Sequence, residues 1–186
     1  MNRTRLLAGA LLVILPTATA GCTTTGSEPG SNGQVTPAYA AVEIGAAVEA
    51  VVGGDSVLTL AVDEIRVIES CPGRAAPTQQ PENGWFVVLD VTASVQTLDE
   101  QGDSPAEAEP YAGLGAERFR IVDTDGVTQE TTSTSASWAC FEDSELLPPF
   151  VDLGDTVSGA VVLDSATRHG AVLFEPGQDS GWEWEF

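Results

Sequence analysis

Hydrophobic and polar residues alternate over short stretches of this chain, with a period of two rather than 3.6. The cleanest run places Trp85, Val87, Leu89, Val91, Ala93 and Val95 on one face and Asp90, Thr92 and Ser94 on the other. It predicts a half-buried strand. Leu58, Leu60 and Val62 line an earlier strand, which Ile65 and Val67 continue in the opposite frame. That frame change at Asp63-Glu64 predicts a β-bulge, an extra residue that re-aims the strand. Phe119 and Ile121, between Arg118 and Arg120, predict another strand, then a turn at Asp123-Thr124-Asp125-Gly126 and a return over Val127 to Thr132. Val157, Val161 and Leu163, then Ala171 to Glu175, then Trp182 to Phe186 complete the set. Ala41 to Val52 is ambiguous, because its alanines and glutamates also suit a helix. Seven to eight short strands between Gly, Pro, Asp and Asn turns predict an all-β antiparallel sandwich over residues 40–186. Cys71 to Asn83 is Pro-rich and Leu98 to Pro110 is acidic; neither has apolar residues to bury, so both read as surface loops.

The first forty residues follow a different logic. Arg3 and Arg5 precede an apolar run, Leu6 to Leu15, that ends at Pro16. The run is too short for a membrane span of about 20 residues and has the length of a signal-peptide core. Ala20 and Gly21, directly before Cys22, resemble the lipobox of bacterial lipoproteins, with Thr19 where Leu is usual. That resemblance implies a leader of residues 1–21, cleavage before Cys22, and acylation of the Cys22 thiol as a membrane anchor. The other reading is an ordinary secretory leader with an incidental cysteine. Residues 23–37 are rich in Thr, Ser, Gly and Pro without apolar periodicity, so 22–39 reads as a lipidated cysteine on a tether. Such a tether lets an anchored domain stand clear of the lipid.

With Cys22 acylated, Cys71 and Cys140 are left as a pair in an oxidising compartment. A bridge closing that loop stabilises a fold by about 4 kcal/mol in the chain-entropy model. Metal-binding or catalytic thiols would call for CxxC spacing or a neighbouring His, and the sequence offers neither. Charge narrows the partners: 7 Lys+Arg against 28 Asp+Glu give a formal net charge of −21. A surface this acidic repels nucleic acid and anionic headgroups, and its self-repulsion favours a monomeric domain. All seven cations are arginines, which excludes lysine Schiff-base and P-loop chemistry.

Three segments, in order, carry a resemblance to a known family: Gly84 to Thr92 (GWFVVLDVT), Phe119 to Gly126 (FRIVDTDG) and Leu153 to Leu163 (LGDTVSGAVVL). They are similar to the central strand, the strand with a D-x-D-G turn, and the Gly-acidic-then-apolar strand of a secreted immunoglobulin-like (telokin-like) domain family of unknown function. That family occurs in Gram-positive and mycobacterial lipoproteins. The resemblance spans roughly residues 40–175 and implies an antiparallel immunoglobulin-like β-sandwich on a lipid anchor, without catalytic residues.

The candidate sites have bland competitors. Asp123 and Asp125 begin like a Ca²⁺ loop, but an EF-hand needs a further ligand and a late Glu where this chain has Thr132. A tight turn with Gly126 at positive φ is preferred. His169 with Asp164, Ser165 or a distant serine would suggest hydrolysis, yet no G-x-S-x-G elbow is present and Arg168-His169-Gly170 reads as a turn. Glu107 and Glu109, and the run Glu142-Asp143-Ser144-Glu145, read as solvated charge before they read as a cation or glycosidase site. Trp182 and Trp184 share a strand face, as a ligand platform or, more commonly, as core. The resulting expectation is a non-catalytic domain, lipid-anchored at Cys22 on the extracytoplasmic face of the cell membrane. It needs no cofactor and binds a protein or serves as an envelope accessory; the alternative is a small-molecule or divalent-cation binder.

Overall fold

A computed structural model describes residues 38–52, 54–74, 77–96, 113–176 and 180–186. Cys22, the leader, most of the tether, and the loop with Glu107 and Glu109 lie outside the described residues. Among the described residues, eight strands make two four-stranded sheets. One contains β2 (Ala47–Val52), β3 (Asp55–Ile68), β4 (Trp85–Val95) and β6 (Thr156–Ser165), in the order β2-β3-β4-β6. The other contains β1 (Ala38–Ala41), β5 (Phe119–Asp123), β7 (Gly170–Phe174) and β8 (Ser180–Glu185), in the order β1-β8-β7-β5. The fold is an all-β, immunoglobulin-like sandwich in its layers. Every ladder within it is antiparallel except the edge pair β1–β8, which is parallel.

The alternating positions meet where expected. Leu58, Leu60, Val62, Val87, Leu89 and Val91 from one sheet pack against Phe119, Ile121, Val172, Phe174 and Trp184 from the other, all fully or almost fully buried. Each such side chain contributes about 1.5–3 kcal/mol by leaving water. The register of β3 on β4 shifts between Val62 and Glu64, so the bulge falls at the predicted frame change. The ambiguous stretch resolves into a turn at 43–46 followed by strand β2. The expected return strand after Gly126 is reduced to one bridge, Val122 to Thr128, flanked by the backbone bonds of Val127 to Asp123 and Gln129 to Ile121. Gly126, at φ 81°, makes that turn without the Cβ clash another residue would meet.

One layer was not foreseen. Phe86, Val88 and Val162 point away from the main core and are buried by a second cluster containing Cys71, Ala136 and Cys140. The cover is the segment 133–147, which includes a single-turn helix α1 (Ser135–Trp138). Its far end docks on β6 through a single bridge, Leu146 to Ala160: Leu147 N–H donates to Ala160 O at 2.9 Å and Ala160 N–H to Glu145 O at 2.8 Å. The approach requires Gly159, where a Cβ would stand 2.5 Å from the Leu147 nitrogen. The free edge of β6 is thereby covered, which protects it from pairing with another chain.

Candidate functional site

Cys71 and Cys140 are disulfide-bonded, with their Cα atoms 5.5 Å apart and both residues buried. The bridge ties the loop after β3 to the end of α1. Arg74, three residues beyond Cys71, reinforces it. Its Nη2 donates to Trp138 O at 2.7 Å, its Nε to Phe141 O, and its Nη1 pairs with Asp143. Its backbone N–H donates to Ala139 O at 3.0 Å. The carbonyls released at the end of a short helix are satisfied in this way.

The start of α1 is held from the other side by Asp164. This carboxylate is fully buried at the end of β6 and accepts from Glu82 N at 2.7 Å, Asn83 N at 2.8 Å and the Thr134 hydroxyl at 2.8 Å. Thr134 is the N-cap of α1: its Oγ1 accepts from Ser137 N at 3.1 Å, and Ser137 Oγ accepts from Thr134 N at 2.9 Å. Asp164 thus joins two loops to the end of β6. His169 takes no part, since its backbone N–H and carbonyl bond only the Thr167 hydroxyl on the exposed turn. Ser165 Oγ donates to Thr167 O at 2.8 Å. Asp164, Ser165 and His169 are used locally, and the geometry forms no relay among them.

The other candidates fall out by their contacts. Asp123 Oδ1 accepts from Asp125 N at 2.9 Å and Val127 N at 2.8 Å, so its carboxylate closes the turn. Among the described residues, no three His, Cys, Asp or Glu side chains gather closely enough to hold a metal ion. Within the Glu142 to Glu145 run, Glu145 caps Glu142 N at 3.1 Å and Asp143 pairs with Arg74. Trp184 is fully buried and Trp182 stacks on Phe174 at 6.2 Å between ring centroids, so these indoles are core rather than platform.

The exposed indole lies elsewhere. Trp138, the last residue of α1, keeps 44% of its surface accessible. Its Nε1–H donates to Ser133 Oγ at 2.7 Å, which fixes the ring's orientation. On one side is a shallow depression of about 580 Å³ lined by Arg74, Ser133, Thr134, Ser135, Trp138 and Ala139. On the other is a narrow apolar cleft of about 20 Å³, walled by Leu114, Leu146, Leu147 and Pro149, that has room for little more than one water. Nothing in the hydrophobic periodicity marks Trp138. The sequence signals for it are the Thr134-x-x-Ser137 capping spacing and an aromatic set in a run of small residues, Ser133 to Ala139.

A third polar cluster lies on the opposite sheet. Tyr39 donates its hydroxyl to Glu175 Oε1, and Arg120 Nη2 donates to Glu175 Oε2 at 2.7 Å, joining β1 to the β5–β7 side of its sheet. Burial first, and then the Glu175 hydrogen bond and charge, push the Tyr39 hydroxyl up to about 12. The phenol, protonated at neutral pH as any tyrosine is, acts here as a structural donor.

No protein-family model matches the chain. No curated protein matches it either. Among solved structures it is similar to MPT63, a secreted protein from Mycobacterium tuberculosis, at 12% identity and a TM-score of 0.49, over 81% of this chain and 100% of that one. The sandwich is established by its own strand pairings and takes no support from that likeness. Among the described residues, no helix is long and apolar enough to cross a membrane.

Proposed function

We propose that this chain is an exported, membrane-tethered binding domain: a non-catalytic immunoglobulin-like sandwich anchored through acylated Cys22, of the secreted telokin-like kind, acting on a partner or as an envelope accessory. The observation that carries the reading is the buried Cys71–Cys140 disulfide, a bond that persists in oxidising compartments outside the cytoplasm. The basic, apolar, small-residue order before Cys22 supplies the route of export and the anchor. The non-catalytic part rests on how the titratable candidates are employed. The Asp164 carboxylate is saturated by three loop donors, and His169 sits on a turn away from it.

The test is fractionation of cells expressing the full chain and its Cys22→Ala variant. The wild type is expected in the membrane fraction, cleaved before Cys22 and labelled by a fatty-acid probe. The variant is expected as uncleaved precursor or as released protein. A processed Cys22→Ala protein that stays in the membrane fraction refutes the anchor.

A further inference from the structure

We infer that the depression beside Trp138 is a binding site for an uncharged sugar chain, with the indole as a stacking platform for a pyranose ring. The inference rests on reading the chain as an extracytoplasmic binding domain and adds the ligand class. Aromatic rings attract apolar and polarised C–H surfaces, and Trp offers the largest such face with a polar handle at its edge. In Trp138 that handle is already used. The Nε1–H bond to Ser133 fixes the ring, so the exposed face is set before any ligand arrives. A sugar also needs hydroxyl partners around its rim. The Ser135 side chain is exposed and makes no hydrogen bond among the described residues, and Ser133 accepts from the indole with its own proton left to donate. Both line the same depression as Trp138.

Charge selects within the sugars. Among the described residues Arg74 is the one cation lining the depression, and three of its five N–H groups are taken by Asp143 and the Trp138 and Phe141 carbonyls. Asp143 balances the Arg74 charge, so the depression offers a uronate or phosphate no net positive charge, and the chain's net charge of −21 repels either one. Shape selects next. At about 580 Å³ the depression falls in the range of ligand sites, roughly 300–1,000 Å³, yet it is shallow and widely open to solvent. That form suits one stretch of a longer chain better than an enclosed monosaccharide.

The test uses the purified full chain, with tryptophan fluorescence and calorimetry against neutral linear hexasaccharides of glucose, mannose, galactose and N-acetylglucosamine. The matching monosaccharides and a hyaluronan hexasaccharide serve as controls. At least one neutral hexasaccharide is expected to bind saturably and more tightly than its monomer, with the uronate chain weaker than both. Trp138→Ala should weaken binding by about tenfold, one aromatic contact's worth, while Trp138→Tyr keeps most of it. Ser135→Ala, at an exposed position, keeps the proposal testable if Trp138→Ala fails to fold, and it should weaken binding a few-fold. Saturable binding to none of the neutral chains, equal binding by Trp138→Ala, or tighter binding of the uronate chain overturns the assignment. These readouts are independent of Cys22, so failure here is distinguishable from failure of the anchor.

Discussion

Replacing Asp164 tests whether one buried carboxylate holds the cover over the second core. The side chain is fully buried and accepts from two backbone N–H groups at 2.7 and 2.8 Å and from the Thr134 hydroxyl at 2.8 Å. Hydrogen bonds to a charged group contribute about 1.5–3 kcal/mol each, and a donor left unpaired costs about 1–3 kcal/mol. Glu82 and Asn83 are exposed residues, so water can reach their N–H groups once the carboxylate is gone. The three losses therefore do not add in full, and Asp164→Ala is expected to cost about 3–5 kcal/mol. Asp164→Asn keeps one acceptor but turns an amide NH₂ towards a donor, for a cost of about 2 kcal/mol. For a chain of this length each kcal/mol lowers Tm by roughly 2–4 °C. Urea unfolding of the full chain with the disulfide intact measures the difference, and hydrogen exchange at Glu82 and Asn83 locates it. If Asp164→Asn falls within about 0.5 kcal/mol of wild type, the carboxylate is not what joins these loops.

Two further predictions come from the opposite sheet. Among the described residues the buried Trp184 Nε1–H has no hydrogen-bond partner, so Trp184→Phe removes an unsatisfied donor while leaving a ring in the core. Its cost in urea unfolding is expected to stay under about 2 kcal/mol, well below the 3–5 kcal/mol of an aromatic-to-alanine change, and a larger loss would reveal a partner for the indole. Tyr39, held up to about 12 chiefly by burial and then by Glu175, should make stability fall as pH rises. The folded value lies above the unfolded value of about 10, so the contribution is complete below pH 10 and is lost as pH climbs towards 12. Because the residue is only partly buried, its worth is about 1 kcal/mol after solvent screening. Tyr39→Phe should flatten the stability profile across that window, and an unchanged slope would place the alkaline loss elsewhere.

The main core was legible because its signal is local. In β4 the inward residues Val87, Leu89, Val91 and Ala93 recur every second position, and burial on one face is what that period encodes. The bulge at Val62/Glu64 was legible for the same reason, since an extra residue shifts the frame visibly. The second layer escaped because its two halves carry different signals. Phe86 and Val88 add apolar residues on the outward face of β4, but the cover at 133–147 has no period of its own. It is held by a disulfide, a guanidinium and a buried carboxylate, whose partners lie far away in sequence. The parallel edge strand β1 escaped for a related reason: Ala38–Ala41 has little alternation, and its partner is the other end of the chain. Trp182 and Trp184 show the limit of periodicity. Alternation says that two rings share a face, and only the opposing sheet decides whether that face is wet.

The same distribution of restraints bears on where binding can occur. A ligand gripped by a segment without fixed structure would have to bear the entropy of ordering it. Trp138 avoids that loss. Arg74 Nη2 holds its carbonyl, the Cys71–Cys140 bond holds the chain two residues later, and Asp164 holds the N-cap of its helix through Thr134. The indole is fixed at its own edge by Ser133. Contact energy gained there goes into affinity rather than into ordering, because the supports lie beneath the exposed face and not in it. The second layer therefore does more than cover Phe86 and Val88: it holds a surface segment with a single turn of helix as a mount for one aromatic ring.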